Sequence, residues 1–163
     1  MAVYKGMELR VEPVDSEHRG YFEAAGRGEL VVQRCDDCHK LRTPIGAACP
    51  YCGSREWSWN VVSGKGTIFS YAIVTRAVNP AFADWVPYPL VVVELDEQKG
   101  VHWPGDRGDE RVSLRMVTNL VRRDDPLRPE HEDEVVIGRR VEACFAPMGA
   151  AVALPQFRLI EER

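Results

Sequence analysis

The chain has 163 residues, 45% hydrophobic and 28% charged, which is typical of a single soluble globular domain large enough to bury a core. It contains neither an apolar run of the roughly 18 residues that a membrane helix needs nor a signal-peptide pattern, so we expect a cytoplasmic protein. The net charge of −4, from 21 basic and 25 acidic side chains, argues against a nucleic-acid-binding surface.

Residues 1–28 are predicted to form an arm and a short helix. The first fifteen residues show no hydrophobic period, so we expect an irregular lead-in. Side chains able to cap a helix stand just before residues 17–25, and glycines follow, as at the two ends of a helix. Tyr21 and Phe22 are the apolar side chains of this helix.

Four of the five cysteines form two C-x-x-C pairs separated by ten residues, in the stretch CDDCHKLRTPIGAACPYC. Each pair can form a tight knuckle that points two thiolates at one metal ion, and the two pairs complete a tetrahedron of sulfurs. Zinc is the expected metal, although iron can occupy the same geometry. Four thiolates leave no open position for water or substrate, so we expect one structural zinc ion per chain. The predicted ligands are Cys35, Cys38, Cys49 and Cys52.

His39 and Cys144 could be mistaken for functional residues. His39 directly follows a cysteine of the first knuckle, and because four sulfurs are available we expect it to be exposed. Cys144 lies in VEACFAP, whose alternation predicts a strand, and we expect a buried inert thiol there. The zinc ribbon is predicted to span residues 29–60.

Residues 61–163 are predicted to form a small barrel. Five segments combine apolar alternation or β-branched runs with flanking turn residues. They are residues 66–77, 89–96, 111–119, 139–147 and 151–160. Five strands with no helical pattern between most of them favour a closed barrel such as the OB-fold, although periodicity alone leaves the type of barrel open. The run at 89–96 is apolar enough to suggest burial on both faces. The predicted fold class is mainly β.

The long connections contain the other candidate functional residues. Residues 77–89 include the aromatic side chains Phe82, Trp85 and Tyr88, which either fold back onto the barrel or contact a partner or ligand. His102 is the best isolated candidate for acid–base chemistry, but a lone histidine in a glycine-rich loop is usually just exposed. The residues do not assemble into a nucleophile, a base and an oxyanion site, so we expect no catalytic residue.

The order of these segments resembles that of a known family. The chain runs YFEAAGRGELVVQRC, then the four-cysteine ribbon, then GKGTIFSYAIVTR, VPYPLVVVELDE, IGRRVEACFAP and LPQF. This order closely resembles the family, long named only as a domain of unknown function, that joins a rubredoxin-like zinc ribbon to an acyl-CoA-associated OB-fold. The resemblance covers about residues 20–157, and the connections between 100 and 135 are longer than is usual in the family.

The resemblance implies a function in CoA-thioester metabolism. Members of that family are typically small partners of thiolase-superfamily proteins: thiolases, acyltransferases and thiolase-like aldolases that act on steroid side-chain CoA thioesters. It therefore implies a non-catalytic subunit of a hetero-oligomer, which stabilises a thiolase-like enzyme and helps to form its acyl-CoA channel. For contact with the partner we expect Tyr21, Phe22, Phe82 and Trp85. For the CoA phosphates we expect Arg34, Lys40, Arg42 and Arg76, each of which could equally be an ordinary solubility charge.

Two other classes of function remain open at this stage. Zinc ribbons and OB-folds both commonly bind single-stranded nucleic acid, although the acidic balance of the chain argues against this. The chain could also be an enzyme in its own right, with His102 or Cys144 as a catalytic residue.

Overall fold

The computed structural model describes residues 2–9, 16–99, 113–149 and 151–161, which form ten strands, one α-helix and two 3-10 turns. The elements in chain order are β1 (Ala2–Tyr4), β2 (Met7–Leu9), α1 (Ser16–Gly26), β3 (Leu30–Cys35), β4 (Leu41–Arg42), β5 (Trp57–Val62), β6 (Lys65–Val74), a 3-10 turn (Pro80–Phe82), β7 (Tyr88–Leu95), β8 (Arg115–Asn119), a second 3-10 turn (Glu132–Glu134), β9 (Arg140–Gly149) and β10 (Val152–Leu159). The predicted mainly β fold class with one short helix is confirmed. Within these described ranges, no helix has the length and apolar character needed to cross a bilayer.

The barrel is one antiparallel sheet in the order β10-β9-β6-β7-β8. A parallel bridge between Leu120 and Phe157 joins the end of β8 to β10, and the Val121 amide donates to the Phe157 carbonyl at 2.8 Å. The closure is partial, because β7 is the one strand of the described ranges that pairs along β8 itself. A partly open five-stranded barrel is the architecture of the OB-fold.

The barrel core is built from the inward side of each strand. Val91, Val93 and Leu95 of β7 are fully buried, as is Phe157 of β10. Burial alternates along β7, and its outward residues such as Val92 are only partly covered. The expectation that this run is buried on both faces is therefore wrong: in an antiparallel sheet only one face packs on the core.

The ribbon is a three-stranded sheet in the order β4-β3-β5, rooted in the barrel. Leu30, Val32 and Val62, at the root of β3 and β5, belong to the same buried cluster as the barrel residues. The cysteines lie at the opposite end of this sheet, so the ribbon projects from the barrel with one end in its core.

Residues 2–9 correct the sequence-based expectation of an irregular lead-in. They form the hairpin β1–β2, in which Ala2 and Tyr4 are buried. Lys5 and Gly6 have φ angles of 48° and 75°, the two positive values that a tight two-residue hairpin turn requires. Each strand has only three residues, which is shorter than the four to eight over which alternation can be recognised.

Candidate functional site

Two similar knuckles bring four cysteine sulfurs together at the tip of the ribbon. The Sγ atoms of Cys35, Cys38, Cys49 and Cys52 all lie within 4.8 Å of one another. Two sulfur pairs, Cys35–Cys52 and Cys38–Cys49, are each 3.6 Å apart. A disulfide needs about 2.0 Å, whereas a tetrahedron with Zn–S bonds of about 2.3 Å has sulfurs about 3.8 Å apart. The set fits a four-sulfur zinc site, as the spacing predicts.

The two knuckles share the same backbone hydrogen bonds. The amides of His39 and Gly53 donate to the carbonyls of Cys35 and Cys49, both at 2.9 Å. His39 and Gly53 also have the same left-handed backbone, with φ angles of 62° and 78°. The prediction that His39 is exposed is confirmed, since its position corresponds to a glycine in the second knuckle and its side chain faces solvent.

The protonation of the thiols follows from their surroundings. Burial opposes ionisation of Cys35, but hydrogen bonds from the amides of Cys38 and Asp37 lower its pKa to about 6. Burial instead raises the pKa of Cys38 to about 12. Zinc takes thiolates as ligands, so metal binding must release protons, and acidification must weaken it.

The interior of the ribbon is polar. Gln33 on β3 and Arg42 on β4 are cross-strand neighbours and are 0% and 4% exposed. Gln33 Oε1 accepts from the Gly46 amide, and Arg42 Nη2 donates to the Gly46 carbonyl, both at 2.9 Å. These two side chains therefore hold the loop between the knuckles, which places Arg42 inside the ribbon.

The other three predicted CoA-binding side chains are more accessible than Arg42. Arg34 on β3 is partly covered, and Lys40 Nζ lies 5.9 Å from the centre of the Tyr51 ring. Arg76 is exposed beyond the end of β6. CoA contact by all four residues stays a prediction.

An apolar groove of about 340 Å³ lies between α1, the loop after β4, and β8. Tyr21 and Phe22, two of the predicted partner contacts, line its helical wall. The loop contributes Pro44 and Ile45, and β8 contributes Val117, which is 68% exposed. Sequence reasoning identified the helical wall from its aromatic side chains but missed the β8 wall, which only the tertiary fold brings near.

The aromatic loop after β6 folds back onto the chain. Trp85 is 2% exposed, and its Nε1 donates to the Leu127 carbonyl at 3.0 Å. Lys5 Nζ lies 4.8 Å from the centre of the Trp85 ring and 3.0 Å from a carboxylate oxygen of Asp84. Phe82 contacts both Tyr4 and Trp85. Of the four predicted partner contacts, these two aromatic residues thus pack within the chain.

Of the two catalytic candidates, Cys144 and His102, the structure describes Cys144. Cys144 on β9 is buried against Trp85 and Val121, as predicted, and burial raises the pKa of its thiol to about 11. It is therefore a protonated, inert side chain at neutral pH. His102 lies outside the described residues.

Comparison with known families and proteins gives consistent matches along the chain. Residues 22–58 match the ChsH2 rubredoxin-like zinc ribbon domain, and residues 59–146 match the ChsH2 C-terminal OB-fold domain. These matches confirm the predicted ribbon and barrel.

The relatives and solved structures to which the chain is similar include the following three proteins. It is 34% identical over 155 residues to a probable enoyl-CoA hydratase alpha subunit of Thermomonospora curvata, covering 94% of this chain but only 41% of that protein. It is 38% identical over 103 residues to a DUF35 domain-containing scaffold protein of Pyrococcus furiosus, covering 59% of this chain and 73% of the relative. The solved Ltp2-ChsH2(DUF35) aldolase aligns with a TM-score of 0.66 and 32% identity, over 91% of this chain and 98% of the solved one. The chain thus spans about two fifths of the first relative's length.

Proposed function

The chain belongs to the ChsH2 (DUF35) family of zinc-ribbon and OB-fold proteins, and we propose that it is a non-catalytic subunit of an acyl-CoA enzyme complex. The partner that we propose is a thiolase-like enzyme, which this chain binds and stabilises. One observation carries the proposal: the chain covers 98% of a solved chain from an aldolase whose name joins two components, Ltp2 and ChsH2. The relative named a scaffold protein supports the same role.

The chemistry of the metal centre supports a structural role for the zinc. Four sulfurs fill the coordination shell of zinc, so the ion fixes the two knuckles and leaves no position for a substrate. The metal therefore contributes folding energy to a segment with a polar interior.

We further propose that the subunit helps to form the acyl-CoA channel of its partner. Arg34, Lys40 and Arg76 are the side chains proposed to meet the CoA phosphates, because arginine and lysine both bind phosphate well. Arg42, at 4% exposure, would reach a phosphate only if the loop around Gly46 moved.

Co-purification from the native host tests the central proposal. We expect a tagged chain to isolate a thiolase-like enzyme in fixed stoichiometry, identified by mass spectrometry and by the mass of the native complex. The matched control is the same purification from a host that carries the untagged chain. A chain that elutes without an acyl-CoA enzyme, or that binds single-stranded oligonucleotides in a salt-dependent way, would contradict the proposal.

One observation favours a second candidate partner. The relative from Thermomonospora curvata is named an enoyl-CoA hydratase alpha subunit, and this chain matches 41% of its length. The chain would then accompany a hydratase. The same experiment separates the two functions, because the co-purifying enzyme would be a hydratase and not a thiolase-like protein.

A further inference from the structure

We propose that the edge of β8 that no described strand pairs receives an extended segment of the partner enzyme, which lies in the neighbouring groove and extends the barrel sheet by one strand. This inference deepens the proposed function and rests on it, because it specifies how the partner is held.

The first support is the pairing of β8. It pairs with β7 on one side, and along 115–119 no strand among the described residues pairs with its other side. The Leu95 amide donates to the Leu114 carbonyl at 2.9 Å, so this opposed pair is a hydrogen-bonded one. Hydrogen-bonded and non-hydrogen-bonded pairs alternate along an antiparallel ladder.

The alternation fixes the direction of the backbone groups on β8. Arg115 and Val117 stand opposite Glu94 and Val92 in the non-hydrogen-bonded positions. Their N–H and C=O groups therefore point away from β7, toward the groove. Met116 lies between them, and its own backbone groups point to β7.

The second support is the shape of the space beside this edge. The groove is bounded by β8 on one side and by α1 with the loop after β4 on the other. A strand added to β8 would lie about 4.8 Å from it, within this groove. Its alternate side chains would meet the apolar walls formed by Tyr21, Phe22 and Ile45, which gives this kind of recognition its specificity.

The Arg115 side chain is engaged away from the free edge of β8. Its guanidinium carbon lies 3.5 Å from the centre of the Phe69 ring, and its Nε lies 3.1 Å from a Glu94 carboxylate oxygen. Phe69 and Glu94 belong to β6 and β7, on the paired side of β8.

A peptide strand fits these features better than an acyl chain does. An acyl chain would cover the apolar walls but would leave the backbone groups of Arg115 and Val117 without partners. An added strand pairs these groups and also covers the walls.

Residue-resolved hydrogen exchange on the complex with the co-purified enzyme tests the inference. We expect the amides of Arg115 and Val117 to exchange at least tenfold more slowly in the complex than in the free chain. The amides of Met116 and Thr118 are internal controls, since they already donate within the barrel and should change little.

Two substitutions at one position separate backbone from side-chain contact. Val117→Pro removes an edge N–H without removing a bond to β7, whereas Val117→Ala keeps the N–H and shortens the side chain. We expect Val117→Pro to raise the Kd of the complex roughly tenfold or more, and Val117→Ala to raise it less. Zinc content and thermal unfolding verify the fold of each variant, and the exchange experiment on the unmodified chain does not depend on them.

Several outcomes would overturn the inference. An intact complex in which both edge amides exchange as in the free chain overturns the added strand and leaves the proposed function standing. Octanoyl-CoA that binds the isolated chain, loses that binding on Tyr21→Ala, and leaves the edge amides unprotected in the complex assigns the groove to an acyl chain instead. Failure to co-purify any acyl-CoA enzyme overturns both proposals.

Discussion

The tip of the ribbon and the barrel are both built from antiparallel strands, but they are held together by different forces. The fully buried side chains of the barrel are mainly apolar, such as Phe157, Ile68 and Leu95, with Gln156 of β10 as a polar exception. At the ribbon tip the buried residues are two cysteines together with the polar Gln33 and Arg42. The barrel is stabilised by removing apolar surface from water, whereas the tip depends on metal–sulfur bonds and hydrogen bonds.

The change from hydrophobic to metal-based stabilisation occurs within a single sheet, that of β4, β3 and β5. β3 begins with Leu30 in the barrel core and ends with Cys35 at the metal. The two ends of β3 are therefore stabilised differently, one by apolar burial and the other by metal binding.

Removing the metal should have the largest effect and should separate the two regions. Structural zinc contributes roughly 10–16 kcal/mol in zinc-finger peptides, far more than the polar contacts of the tip can replace. We expect the Cys35→Ser variant to lose zinc and the hydrogen-exchange protection of residues 36–56, while the barrel strands stay protected. Because metal binding releases protons, lowering the pH should release zinc before it unfolds the barrel.

Zinc stoichiometry and residue-resolved exchange check this prediction together. Cys144→Ser is the matched control, because Cys144 lies outside the metal centre and should leave the zinc content unchanged. Loss of barrel protection in step with zinc loss would show that the two regions fold as one unit.

Truncating the barrel core should have the converse effect. Phe157 is fully buried, so Phe157→Ala should lower the free energy of unfolding by about 3–5 kcal/mol. We expect the folded variant still to bind one zinc ion at low temperature. Urea unfolding followed by circular dichroism measures the change, and Val78→Ala, at a fully exposed position, is the control. A folded Phe157→Ala variant that fails to bind zinc would contradict the separation.

Gln98 links the two regions, and its loss should have an intermediate effect. Its side-chain amide pairs with the backbone of Leu41, accepting from the amide at 2.5 Å and donating to the carbonyl at 2.9 Å. Gln98→Ala should therefore cost about 1–3 kcal/mol and speed exchange at Leu41. Gln98→Glu keeps the acceptor but sets a carboxylate oxygen against the Leu41 carbonyl, where the amide nitrogen donated, so its cost should be at least as large as that of Gln98→Ala. A cost of Gln98→Glu well below that of Gln98→Ala would contradict the paired geometry.

The smallest expected effect is at His39. A non-glycine residue in the left-handed region costs roughly 1–2 kcal/mol, and the equivalent position of the second knuckle is already glycine. We expect His39→Gly to bind zinc normally and to unfold at the same temperature or slightly higher. A loss of zinc affinity in this variant would instead make His39 a metal ligand.

The ribbon could be predicted from the sequence because its chemistry depends on spacing. Two C-x-x-C pairs predict the four ligands and favour zinc, whatever surrounds them. The strands of the barrel followed from alternation to within a few residues, as for Tyr88–Leu95 against the predicted 89–96.

The groove, the burial of Arg42 and the packing of the aromatic loop could not be predicted from the sequence, because each depends on contacts between residues that are distant in the chain. The groove combines Tyr21 with Val117, and no local pattern relates the two. Arg42 is charged, so its sequence suggests exposure, yet its place beside Gln33 on the inner face of the ribbon buries it. The aromatic loop was ambiguous for the same reason, because only the fold shows that Lys5 lies over Trp85.

The rate of CoA-thioester turnover by the purified chain, measured beside that of its complex with the co-purified enzyme, tests the central claim most directly. The account predicts that the complex is active and that the chain alone, loaded with zinc, shows no turnover above background. Turnover by the chain alone at a rate matching that of the complex would contradict it.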